Sequence, residues 1–67
     1  MSAHLERIKA EMADLDDKAS KLASFINSNP LFGKLDPIDQ DLMSRQLGYM
    51  EAYAGVLEMR MERAVTV

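Results

Sequence analysis

Cysteine and tryptophan are absent from this chain, histidine occurs once, at His4, and there are only two prolines and three glycines in 67 residues. Without cysteine there is no disulfide framework, no thiolate nucleophile and no zinc–thiolate site. With a single imidazole near one end, no acid–base–nucleophile set assembles, so the chain reads as non-catalytic. No run approaches the roughly 18 apolar residues of a membrane span, and the first residues mix acids with bases around no apolar signal core; a soluble, cytoplasmic protein is expected. Acidic residues outnumber basic ones, eleven to eight. A formal net charge of −3 and a pI near 4.9 are wrong for a surface that neutralises nucleic-acid phosphates, although a local basic spot for a small anion stays open. Asp14, Asp16 and Asp17 have neither calcium-loop spacing nor a Glu/His ligand set around them, so neither a metal nor a cofactor is expected.

What is present is helical periodicity. Leu5, Ile8, Met12, Leu15, Ala19, Leu22 and Ile26 recur at alternating spacings of three and four, an unbroken seam down one helix. No proline or glycine interrupts residues 3–27, and Arg7–Glu11, Asp14–Lys18 and Asp17–Lys21 are placed to pair one turn apart on the solvated side. Ser2 is a candidate N-cap. Asn27-Ser28-Asn29-Pro30 then stops the helix, because Asn and Ser compete for backbone hydrogen bonds and Pro30 disfavours the helical region for Asn29. After a turn over 28–36, Asp36-Pro37 restarts it, with Asp36 as N-cap and Pro37 at the first helical position, and Asp39 and Asp41 favour the positive end of the helix dipole.

The second helix, over 37–64, carries a seam of Met43, Leu47, Met50, Ala54, Leu57, Met61 and Ala64, with a frayed tail expected over 65–67. Beside the seam runs a second apolar row: Leu42, Tyr49, Tyr53 and Val56. At about 100° per residue the two together span about half of the cylinder, whereas the first helix offers a stripe only about 100° wide. One narrow stripe cannot cover a face twice its width. The expected architecture is therefore a single all-α domain, an antiparallel two-helix hairpin over 1–67, with apolar surface left over on the second helix. A core this small supplies no more than about 3–5 kcal/mol, so the hairpin is expected to dimerise into a four-helix bundle with the second helix nearer its centre.

The border of that leftover surface supplies the candidate binding residues. Tyr49 and Tyr53 lie one turn apart beside Arg45, and Tyr and Arg are enriched in binding hot spots, though tyrosines of this kind serve equally as core residues with a wet hydroxyl. Gly48, Ala52 and Gly55 form a strip of small residues, read either as room for another backbone or as a solvated face that tolerates glycine. Phe25 points away from the first helix's seam; with Phe32 and Leu35 it closes the hairpin tip or anchors a partner.

The run Leu5-Glu6-Arg7-Ile8…Glu11…Leu15…Lys21-Leu22…Phe25-Ile26, with Phe32…Leu35 and Leu42…Gln46-Leu47…Met50…Tyr53…Leu57-Glu58…Arg60, resembles a family of very small phage and prophage helical hairpins, several grouped with crAss-like phages. In size and architecture the chain is also similar to small phage anti-activators that bind a host quorum-sensing regulator and a pilus-assembly ATPase. The resemblance implies an accessory phage protein that acts on a host factor in the host cytoplasm. The leftover apolar face of the second helix, bordered by Arg45, Gly48, Tyr49, Ala52 and Tyr53, is where a homodimeric hairpin is expected to bind and inhibit or redirect a host protein. A different class stays beside it: an oligomeric sponge for a small anionic signalling nucleotide, whose basic and aromatic groups (Arg45, Tyr49, Tyr53, Arg63) converge between subunits. A third, of low weight, is a purely structural coiled-coil piece of a virion.

Overall fold

The computed structural model of the chain describes residues 3–66. Two helices, α1 (Ala3–Ser28) and α2 (Pro37–Thr66), fold against each other as a hairpin joined by one short 3-10 turn, Phe32–Lys34. At 1.5 Å per residue they run about 39 and 45 Å, which accounts for a rod of 48 × 15 × 13 Å. Each helix outlasts its sequence-expected end. The α1 ladder closes with the Asn29 amide donating to the Phe25 carbonyl at 3.2 Å, so Ser28 stays helical. The α2 ladder continues through Val65 to Thr66, where a frayed tail was expected, because nothing after Pro37 breaks it. Ser2, the candidate cap of α1, and Val67 lie outside the described residues.

The reversal uses the residues that punctuate the sequence. The Leu31 amide donates to Asn29 Oδ1 at 2.9 Å and the Phe32 amide to the Asn29 carbonyl at 3.1 Å, a turn that suits Pro30, which has no amide to place. Phe25 and Phe32 meet edge to face with ring centroids 6.2 Å apart, so Phe25 closes the tip. Asp36 caps α2: the Ile38 amide donates to its Oδ1 at 2.8 Å, and Pro37 fills the first helical position. A second tie is not visible in the sequence pattern, the Gln40 side-chain amide donating to the Leu35 carbonyl at 2.9 Å.

Packing follows the seams. Ile8 and Leu57 are fully buried and Leu15 nearly so, with Met12, Met50, Ala54, Met61 and Ala64 half-buried against them. Three buried side chains at roughly 1.5–3 kcal/mol each form a thin core for a chain of this length. On the outer side of α1, Lys18 pairs with Asp14 at 3.2 Å and Lys21 with Asp17 at 3.1 Å, while Arg7 and Glu11 form no ion pair among the described residues. No helix among the described residues is long and apolar enough to cross a membrane.

Candidate functional site

The second apolar row of α2 remains outside the hairpin. Leu42 is 56 % exposed, Tyr49 72 %, Tyr53 41 % and Val56 47 %, and Ile38, read only as the start of the helix, joins them at 70 %. The cause is angular: these residues lie roughly 70–130° around α2 from the centre of the seam that α1 covers. Both tyrosines are thereby placed on the surface, Tyr49 more completely than its position at the edge of the apolar arc suggests.

Along this row α2 carries an open surface groove of about 730 Å³ lined by Leu42, Arg45, Gln46, Tyr49, Met50 and Tyr53. All six come from one helix at spacings of three and four, so they share one side and their relative positions are fixed by helical geometry. The structure thus brings Arg45, Tyr49 and Tyr53 together and adds Leu42, Gln46 and Met50. Met50 belongs to the seam by its spacing and is half-buried against the core, so the groove borders the seam there. Gln46 was not singled out as a site residue; its signal was a polar side chain at the edge of an apolar row, one turn before Met50.

The groove's charge is simple. Arg45 is its one formally charged lining residue. Arg45 Nε donates to Asp41 Oδ2 at 2.8 Å across one helical turn, with both side chains well exposed. That bond orients the guanidinium and uses one of its five N–H donors, leaving a fork suited to a phosphate or carboxylate. Beside it, two exposed tyrosine rings offer flat apolar faces with a polar tip, and Gln46 offers an amide that both donates and accepts.

Two other expected features fall outside the groove. A Cβ added at Gly48 or Gly55 meets nothing within 4 Å, so the small-residue strip with Ala52 is open space in the single chain. Arg63 does not line the groove, and it stands 18 residues, about 27 Å, along α2 from Arg45, so the two do not converge within one chain. No group of three or more His, Asp or Glu side chains among the described residues is arranged to hold a metal ion.

Fold and site together define a class: a helical hairpin with an open, aromatic surface groove on one helix, whose one arginine is paired to Asp41. The chain belongs to the Sequestin family, whose model matches residues 2–63. No curated protein and no solved structure matches it.

Proposed function

We propose that the chain sequesters a small anionic ligand bearing a planar base, a nucleotide, and holds it without turning it over. The observation that carries this reading is the groove, in which one arginine fork, one side-chain amide and two exposed tyrosine rings are gathered within about two helical turns. Arg45 suits the anionic group, the rings of Tyr49 and Tyr53 suit the faces of a base, and Gln46 suits the hydrogen-bonding edge of that base. The lining contains no carboxylate–imidazole or carboxylate–carboxylate pair to move protons, which favours retention over catalysis. The family name, Sequestin, points the same way. On this reading, and with the resemblance to phage hairpins, the ligand is a host signalling nucleotide, and the chain acts in the host cytoplasm by lowering its free concentration.

The test is calorimetric titration of the purified protein with AMP, cyclic AMP, a cyclic dinucleotide and, as control, inorganic phosphate. At least one nucleotide should bind saturably and more tightly than phosphate, and chromatography after denaturing the protein should recover it intact. Failure of all three nucleotides at millimolar concentration, or recovery of a cleaved product, overturns the proposal. A second reading, capture of a host regulator or motor ATPase, is favoured by the apolar row, which runs beyond the groove to Ile38 and Val56. It predicts that a host protein is retained on the immobilised chain and released by Tyr49→Ala.

A further inference from the structure

The hairpin leaves too much surface uncovered for its mass. A folded chain of 7.5 kDa exposes roughly 4,200 Å² by the usual scaling of area with mass, and this one exposes 5046 Å². The excess of about 800 Å² equals what one partner contributes to a standard protein–protein interface. Its apolar part is concentrated on the outer row of α2, where Ile38, Leu42, Tyr49, Tyr53 and Val56 are each at least 41 % exposed over 18 residues, about 27 Å of helix.

We infer that this row is the seam with a second copy of the chain, the two α2 helices packing antiparallel about a two-fold axis beside residue 47. The row is self-complementary in that direction. Ile38 and Val56 are equally far from residue 47, so each aliphatic end of one row meets the other end of the second. Leu42 falls opposite Ala52 of the second copy, large against small, and Tyr53 falls opposite Asp41. Arg45 falls opposite Tyr49 of the second copy, a cation over an aromatic face, and the pair occurs twice. Parallel pairing with the same row would set Arg45 directly against Arg45 and align two helix dipoles, both repulsive. Because the seam takes up Leu42, Arg45, Tyr49 and Tyr53, which also line the groove, pairing through this row and ligand binding on it compete: a bound nucleotide would favour the single hairpin, and pairing would close the groove. Only that last consequence rests on the proposed sequestration; the pairing itself is tested without any ligand.

The absence of cysteine makes the register directly measurable. Ile38→Cys and Val56→Cys are prepared separately, each side chain being exposed in the hairpin and each substitution leaving the buried core intact. Circular dichroism first checks that both remain helical. On mild oxidation an equimolar mixture of the two should give a disulfide-linked heterodimer, and neither alone should cross-link appreciably, because two-fold mates of residue 38, or of residue 56, stand about 27 Å apart along the axis. Sedimentation equilibrium of the unmodified chain at about 100 µM should give twice the 7.5 kDa mass. A chain of single mass overturns the inference. So does efficient cross-linking of Ile38→Cys alone, which means parallel pairing, or a dimer whose mixture does not cross-link, which means another face. If either variant loses its helicity, the same pair of readings on Leu42→Cys and Ala52→Cys decides the register. None of these results depends on nucleotide binding, so failure of the pairing and failure of sequestration are told apart.

Discussion

The two apolar sides of α2 have similar composition and opposite fates. The seam that faces α1 holds Leu57 at 0 % exposure and Met50, Ala54 and Met61 against it, while the row around the corner holds Tyr49 at 72 % and Ile38 at 70 %. Val56 and Leu57 are consecutive residues, yet one is 47 % exposed and the other sealed. Hydrophobicity therefore does not distinguish core from surface in this helix; the width of the neighbouring stripe does. α1 buries what it can reach, and the remainder stays exposed by geometric necessity. Stability and function should accordingly separate along the helix cylinder, side from side, rather than along the chain.

The largest expected effect lies at the sealed side. Leu57→Ala removes a fully buried side chain from a three-residue core and should cost about 2–5 kcal/mol in urea unfolding. Val56→Ala, its neighbour, should cost much less in dilute solution, with a deficit that grows with protein concentration because the lost contact belongs to the assembly. Equal, concentration-independent losses at the two positions would erase the distinction between the sides.

Next in size is the start of the helix that carries both sides. Asp36→Ala removes the acceptor of the Ile38 amide and should cost about 0.5–2 kcal/mol, read as a drop in melting temperature. Asp36→Asn should restore most of it, because an amide oxygen caps as well as a carboxylate. No recovery would mean that the charge near the helix N-terminus matters more than the hydrogen bond.

These elements were legible in the sequence for definite reasons. The three–four spacing of Ile8, Met12 and Leu15 and of Met50, Ala54 and Leu57 marks helices, and Asp36-Pro37 marks a start, because each is a local stereochemical rule. The ends of both helices were less legible, since Ser28 and Val65 are compatible with helix and with coil. The tie from Gln40 to the Leu35 carbonyl depends on how the chain bends after Phe32, which no periodicity records. Arg45, Tyr49 and Tyr53 could be nominated from their place beside the seam. How far each stands from α1 could not, because a residue at the edge of an apolar arc is buried or bare according to the neighbour's width. That ambiguity left the tyrosines open between core and surface.

A smaller effect sharpens the comparison on a third side of α2. Gly48→Ala adds a methyl that meets nothing within 4 Å in the hairpin, and alanine gains about 1 kcal/mol of helix propensity over glycine. The variant should melt a few degrees higher. A lower melting temperature would show that another backbone lies against Gly48 and Ala52, and that the interface wraps beyond the row of Ile38 and Val56.

The smallest effect on folding is expected where the effect on binding is large. Arg45 and Lys18 are matched in the hairpin: each pairs with an aspartate one turn earlier, Arg45 with Asp41 at 2.8 Å and Lys18 with Asp14 at 3.2 Å, and all four side chains are more than half exposed. Exposed pairs of this spacing contribute about 0.3–0.5 kcal/mol, so Arg45→Ala and Lys18→Ala should be nearly indistinguishable from the parent by thermal melting in dilute solution. They differ in where they stand. Arg45 lines the groove on α2 with Tyr49 and Tyr53, and Lys18 sits on the outer side of α1. Against whichever nucleotide binds the parent chain, Arg45→Ala should weaken binding at least tenfold, the loss of a charge-assisted contact of about 1.5–3 kcal/mol, while Lys18→Ala leaves it unchanged. Arg45→Lys should recover part of the affinity, because the charge returns without the planar fork. Loss at Lys18 with retention at Arg45 would move the working surface to α1, and the uncovered row of α2 would then serve assembly alone.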